Sequence, residues 1–496
     1  MRGGDNLNRM NTKYAQTQPL HPVAASQARR LIIKRLRSVS MAYVLSGLTA
    51  TAQVAPASSP AAAPPELQPC PAEVANSSQC MTGRDSAGAY YWLVMPPAWN
   101  GTLVVHAHGG PELGTPKRER AAEDATRWAI WSRAGYAYAG SGFRQGGVAV
   151  RSAAEDTDRV RALFVAQWGQ PKYTVLHGQS WGAGVAARTA EIFAAPSNPG
   201  TTVNTINTVD PIDIHKPAYD AVLLTSGVLG GGSQSYNFRL DLRVVYQAVC
   251  NNHPKPDEPD YPLWQGLPPK STLTRADLAA RVNACTGVQQ KPADRSATQQ
   301  RNLTTLLDVI RIPESSLLGH MNWATWHFQD IVFNRLKGRN PFGNDQVRYR
   351  GSADDGALNA KVARYAADSA AMADFSADTD PQGRIAVPVL TMHGINDGVA
   401  FVELESTFRE TMAKGGSLPR LVQVFTRNEN HSYSSDAQYV TAMRALLDWV
   451  ASGNKPTPAR IASQCADIAV NFEPQTGCRF LPDYQPRPLA SGVPAR

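Results

Sequence analysis

From residue 89 onward the chain alternates short apolar runs with amphipathic or small-residue stretches. Residues 89–95 and 102–106 are rich in aromatic and β-branched side chains and have the length of strands. Between them Pro96-Pro97-Ala98-Trp99-Asn100-Gly101 is turn-forming, so a hairpin is expected. Residues 118–134 then read as helix, 136–140 as strand, 153–168 as helix and 173–177 as strand. A helix of small residues follows from Gly182 toward Phe193, and residues 221–225 have the composition of a buried strand. Such alternation is the mark of βαβ units and predicts an α/β fold with a mainly parallel sheet flanked by helices.

The alternation fails over residues 231–380, where proline-rich loops, two cysteines and scattered helical pieces replace it. This stretch is expected to be a cap inserted into the sheet domain. Strand-like runs resume at 387–392 and 421–425, and a closing helix is expected over 436–451. The predicted organisation is therefore a first core segment at 67–230, the cap at 231–380, a second core segment at 381–455 and a tail at 456–496.

Charge is unevenly spread. Of the net +8, residues 1–52 carry +7, eight basic side chains against the single acid Asp5, which leaves +1 for everything else. Nucleic-acid binding thus has no support. The basic stretch Arg29-Arg30-Leu31-Ile32-Ile33-Lys34-Arg35-Leu36-Arg37 precedes a modest apolar run and the small residues Ala50-Thr51-Ala52, the layout of a signal peptide over 1–52 with either a general or a twin-arginine export route. The apolar run is too short for a stable membrane span. Residues 53–66, mostly Ala, Pro, Ser and Val, have the composition of an extended linker. All six cysteines (Cys70, Cys80, Cys250, Cys285, Cys465 and Cys478) follow that segment and lack the close spacing of zinc ligands, so disulfides in a periplasmic or extracellular setting are expected. Of the fifteen possible pairings, the sequential one is taken as the expectation.

The chemistry centres on Gly178-Gln179-Ser180-Trp181-Gly182, which joins the strand at 173–177 to the small-residue helix. The bare G-x-S-x-G is common by chance; the strand before it and the helix after it are what a nucleophile elbow needs. A serine hydroxyl needs a base to take its proton, and the base needs a partner to orient it. After the strand at 387–392 comes His393-Gly394-Ile395-Asn396-Asp397, which puts Asp397 in a loop at a strand's C-terminal end. His431 is the only one of ten histidines that follows Asp397. Ser180, Asp397 and His431 are accordingly the expected nucleophile, acid and base. For the oxyanion, the backbone N–H of Trp181 is one expected donor. The loop Ala107-His108-Gly109-Gly110-Pro111 offers the second, which Pro111 cannot supply, and Gly110 is favoured over Gly109. His106 and His108 lack further ligands for a metal and are read as structural.

These motifs together resemble the α/β-hydrolase superfamily, over roughly residues 89–230 and 385–452. Residues 97–105 also resemble segments of secreted bacterial esterases of the feruloyl-esterase and tannase type. The resemblance implies an α/β-hydrolase fold with an inserted cap, and a secreted serine esterase that needs neither metal nor organic cofactor and acts on a small-molecule or polymeric ester. A secreted serine peptidase or amidase would use the same triad. In the cap, Trp323, Trp326 and His327 fall at helical spacing on one face. Either they pack the cap, or Trp323 and Trp326 roof the pocket above Ser180 as substrate-binding residues.

Overall fold

The computed structural model describes residues 64–195, 217–428, 430–432, 434–472 and 477–494. The expected signal peptide, and the linker as far as residue 63, lie outside the described residues. Among the described residues there are nine strands: β1 (Glu66–Gln68), β2 (Gln79–Arg84), β3 (Tyr90–Met95), β4 (Thr102–Ala107), β5 (Ala137–Ser141), β6 (Tyr173–Gln179), β7 (Ala221–Thr225), β8 (Val389–Gly394) and β9 (Leu421–Thr426). They form one sheet in the order β1-β2-β3-β5-β4-β6-β7-β8-β9. The first four in that order pair antiparallel, and every pairing from β5–β4 to β8–β9 is parallel.

The expected hairpin between the first two predicted strands does not form. β3 pairs with β2 and β5, and β4 lies between β5 and β6. The helical crossover after β4, which starts with Arg118–Arg127, returns β5 parallel to β4, so the position beside β4 is taken before β3 can occupy it. The turn at 96–101 instead passes beneath the start of β5, where the Asn100 N–H donates to the Gly135 carbonyl at 3.0 Å. The single helix expected over 118–134 is also broken, into Arg118–Arg127 and Ile130–Arg133.

Side chains alternate across the sheet with period two. Val105, Leu176, Leu224 and Val389 point to one face, where the helices Val150–Trp168, Trp181–Phe193 and Leu404–Lys414 contribute Phe164, Val185 and Phe408. Val104, Val175, Leu223 and Leu390 point to the other, against Ala125 of Arg118–Arg127, Leu446 of Asp436–Ser452 and Ile461 of Pro458–Phe472. Central strands buried on both sides explain why their sequences are nearly continuous apolar runs. Between β7 and β8 the described chain is helical, built around Gly231–Cys250 with its own core of Leu240, Val244, Leu303, Met321 and Phe328. The two ends of this insertion hold each other. The Gly232 N–H donates to Thr379 Oγ1 and the Ser233 N–H to Asp380 Oδ1, both at 3.1 Å. The chain has the α/β-hydrolase fold with a helical cap. No described helix is long and apolar enough to cross a membrane.

All six cysteines pair sequentially: Cys70–Cys80, Cys250–Cys285 and Cys465–Cys478, with Cα separations of 5.2, 5.7 and 5.8 Å. Cys250–Cys285 joins the ends of two cap helices, Gly231–Cys250 and Arg275–Thr286. Cys465–Cys478 closes a loop with a sequence separation of 13. Replacing both Cys465 and Cys478 with Ser is expected to lower unfolding stability by about 2 to 4 kcal/mol, because the unfolded chain regains the freedom of that loop. Urea melts of the two forms, together with a non-reduced mass that shows no free thiol in the parent, check this.

Candidate active site

β6 runs straight into the helix Trp181–Phe193, and Ser180 stands at the turn with φ 57° and ψ −125°. A non-glycine residue in that region is strained and persists only where its surroundings hold it. The Ser180 N–H donates to the Thr225 carbonyl at 3.0 Å, and the Ser180 carbonyl accepts from the Val228 N–H at 2.9 Å. Two glycines let the elbow close. A β-carbon on Gly178 would strike the Gly182 carbonyl and Ala186, and one on Gly182 would strike the carbonyls of Ala107 and His108.

His431 Nε2 lies 2.8 Å from Ser180 Oγ, and its Nδ1 lies 2.7 Å from Asp397 Oδ2. The three side chains expected from chain order are thus in one hydrogen-bonded line. The other Asp397 oxygen, Oδ1, accepts the N–H groups of Val399 and Ala400 at 2.9 and 3.0 Å, which fixes the carboxylate plane. The loop of His431 is held through Ser432. Gln179 Nε2 donates to its hydroxyl, and Tyr439 donates to its carbonyl at 3.2 Å.

Two residues that the sequence reading did not single out extend this line. His393 is wholly buried, with Nε2 3.5 Å from Asp397 Oδ2 and Nδ1 3.1 Å from Glu405 Oε1. Burial alone would push its imidazole down; the bonds and charges of Asp397 and Glu405 outweigh this and push it up to about 10. Burial alone would likewise raise Asp397, yet the facing His431 and His393 hold it well below the usual carboxylate range. Glu405 also accepts from Thr391 Oγ1 and Gln423 Nε2, each at 2.6 Å. His393 is visible in sequence, four residues before Asp397. Glu405 carries no sequence signal, since a lone acid in an amphipathic helix reads as solvent-exposed.

The loop after β4 carries Gly110 at φ +80°, half-buried, with Trp181 and Gly110 lining the same small cleft. As the first residue of its helix, Trp181 has an N–H with no partner within that helix. Gly109 packs against Gln179, where a β-carbon would meet the Gln179 side-chain oxygen at 2.6 Å. His108 braces the loop: Nδ1 bonds Asp124 Oδ2 at 2.6 Å and Nε2 accepts from Arg120 Nε at 2.6 Å, while Arg120 Nη2 donates to the Gly109 carbonyl at 3.0 Å. His106 instead faces His177 across the sheet, Nδ1 to Nδ1 at 3.0 Å, and burial pushes both rings down, His106 to about 3.

The cap reaches the Asp397 and Gly110 loops through one helix, Leu317 to Arg335, π-wound over Trp323–His327 and Asp330–Arg335. His320 Nε2 donates to the Gly398 carbonyl at 3.1 Å, beside Asp397, and His327 Nε2 donates to the Pro111 carbonyl at 2.9 Å, beside Gly110. The expected shared face of Trp323, Trp326 and His327 is split. The wider π turn leaves the Trp323 ring edge-on to His320 and tilted against His327 but carries Trp326 toward Arg275 and the cap core.

No family model matches the chain, and no curated protein matches it. Among solved structures it is similar to a puromycin-hydrolyzing peptidase of Mycobacterium tuberculosis (10% identity, TM-score 0.34, covering 76% of this chain and 40% of that one). It is also similar to feruloyl esterase B of Aspergillus oryzae (12%, 0.38, 80% and 88%) and to Candida antarctica lipase A in its closed state (10%, 0.42, 82% and 90%). The chain spans 40% of the length of the puromycin-hydrolyzing peptidase and of a puromycin hydrolase.

The raised His393 gives a pH signature. A group lifted from 6.5 to about 10 on folding stabilises fully below about 6.5, and that stabilisation is lost as pH rises toward 10. His393→Gln is therefore expected to flatten the fall in melting temperature between neutral pH and pH 10. Parallel curves for the variant and the parent protein would contradict the charged state of His393.

Proposed function

We propose that the chain is an exported serine hydrolase that cleaves carboxylic esters through an acyl-enzyme on Ser180. The observation that carries the reading is the unbroken line from Ser180 Oγ through His431 to Asp397, at 2.8 and 2.7 Å, starting from a strained elbow at the C-terminal end of β6. In this reading His431 Nε2 takes the Ser180 proton as the oxygen attacks the ester carbonyl, and Asp397 keeps Nδ1–H in place and stabilises the imidazolium. The N–H groups of Gly110 and Trp181 receive the oxyanion, with the positive end of the helix Trp181–Phe193 behind them. His431 returns the proton to the departing alcohol, and a water activated by the same nitrogen then releases the acid. No metal or organic cofactor is needed for these steps.

The organisation that goes with this reading is a removed signal peptide at 1–52, a linker at 53–66, core segments at 67–230 and 381–455, the cap at 231–380 and the tail at 456–496. Three disulfides support a periplasmic or extracellular destination. The substrate is a small-molecule or polymeric ester, with neither nucleic acid nor a stable membrane span involved. Of the two cap tryptophans proposed to bind substrate, Trp323 has its ring beside His320 and His327, the residues tied to the two catalytic loops.

Ser180→Ala is expected to abolish both hydrolysis and labelling by a fluorophosphonate. His431→Ala should lower kcat by about three orders of magnitude or more, and Asp397→Asn by as much or less. Wild-type turnover in Ser180→Ala would end the proposal, and faster cleavage of anilides than of matched p-nitrophenyl esters would make the enzyme an amidase or peptidase.

The tryptophans should separate. Trp323→Ala is expected to reduce kcat/KM for bulky aromatic esters selectively, with little change in melting temperature, whereas Trp326→Ala should chiefly lower the melting temperature. Equal losses on acetate and aromatic esters in Trp323→Ala, with a matching drop in melting temperature, would remove Trp323 from the pocket.

A further inference from the structure

Arg239, in the middle of the cap helix Gly231–Cys250, is 4% exposed, and among the described residues no carboxylate pairs with it. Its guanidinium is boxed by three rings, with centroids at 4.8 Å for Tyr236, 4.7 Å for Phe238 and 4.5 Å for Trp323. Nη1 donates to the Ser235 carbonyl one helical turn back, while Nε is buried with no partner. What remains is the Nε–H and Nη2–H edge, the fork that matches the two oxygens of a carboxylate. Burial pulls the guanidinium down to about 10, which leaves it charged at neutral pH. A buried cation without a counter-ion is costly, and ring faces do not supply the in-plane acceptors that its N–H groups require.

Its surroundings locate this fork. Trp323 connects to both His320 and His327, at 5.4 and 6.3 Å between centroids. Those histidines bond the residues next to Asp397 and Gly110, so Arg239 lies on the underside of the cap, between the loop of the acid and the loop of the oxyanion donors. Arg239 also lines a narrow crevice with Val228, whose N–H holds the Ser180 carbonyl, and with Val399, whose N–H holds Asp397. Three further buried polar atoms nearby lack partners: Ser235 Oγ, His320 Nδ1 and His327 Nδ1. Both rings spend their Nε2–H on carbonyls and burial keeps both neutral, so each presents a bare lone pair and neither competes with Arg239 for an anion.

We propose that Arg239 binds a free carboxylate on the substrate, which makes the preferred substrates esters that carry a second, unesterified acid group. This narrows the serine-hydrolase reading and rests on it. The carboxylate sits on either the acyl or the alcohol side of the ester, and matched pairs distinguish the two. The p-nitrophenyl half-ester of glutaric acid is compared with p-nitrophenyl valerate, and 4-acetoxybenzoate with phenyl acetate. In at least one pair kcat/KM is expected to favour the carboxylate, and Arg239→Met should lower that ratio on the order of 100-fold. Arg239→Lys should give an intermediate ratio, since it keeps the charge and loses the fork. Calorimetric titration of the full disulfide-bonded chain with glutarate should show binding in the parent protein that is lost in Arg239→Met.

No preference for the carboxylate in either pair, or ratios unchanged in both variants, would overturn the proposal. Equal losses on charged and neutral esters with a lowered melting temperature would also overturn it, making Arg239 a packing residue of the aromatic box. Absence of both fluorophosphonate labelling and ester cleavage would sink the hydrolase reading instead. The glutarate titration then decides for Arg239 by itself, with no heat of binding in the parent protein counting against it.

Discussion

Everything at the site depends on a backbone conformation that an L-residue adopts reluctantly. Ser180 can face the cleft only because its φ is positive, at a strain on the order of 1 to 3 kcal/mol. Two main-chain bonds to Thr225 and Val228 hold it there, and both partners belong to β7 and the turn after it. Ser180 is therefore fixed by strand β7 as much as by its own strand. The glycines on either side serve the same end, since without them neither the helix nor the end of β4 could come close enough to surround the serine.

The remaining groups converge because parallel strands deliver their C-terminal ends to one edge of the sheet. β4 ends in the Gly110 loop, β6 in Ser180, β8 in Asp397 and β9 in the loop of His431. Such loops would be mobile if left alone. Here each is tied to something rigid: the Gly110 loop to Asp124 through His108, the Asp397 loop to Glu405 through His393, and the His431 loop to Gln179 through Ser432. His320 and His327 add a second set of ties from above. The cap and the Asp397 and Gly110 loops thus form one hydrogen-bonded assembly, and any opening of the cap that frees these loops has to break the bonds to Gly398 and Pro111.

The strands buried on both faces were legible in sequence because nothing polar interrupts them, and the elbow because its glycines flank a serine between strand and helix. Chain order made Asp397 and His431 legible as well, since one histidine only follows the acid. What could not be read was whatever depends on contacts between distant segments. β1 and β2 are short and mixed in composition, and the pairing of β3 with β5 is set by a crossover rather than by the turn that follows β3. The π winding that separates Trp326 from Trp323 leaves no periodic trace over five residues. Glu405 and Arg239 look like the exposed charges of ordinary amphipathic helices, and only the burial of both shows otherwise.

The tail has a consequence for the chain's dealings with other copies of itself. β9 is the last strand of the sheet, and its outer edge is covered by residues after Cys478. The Arg427 N–H donates to the Arg479 carbonyl at 2.9 Å, the Leu481 N–H to the Phe425 carbonyl at 2.8 Å, and Thr426 faces Phe480 as an antiparallel bridge. An open edge of this kind is a template on which a second chain can add a strand. The Cys465–Cys478 bond moors the covering segment to the helix Pro458–Phe472, which itself packs on the helix Asp436–Ser452. The Cys465–Cys478 bond thereby helps keep the β9 edge covered against strand addition by another copy, a few residues from His431.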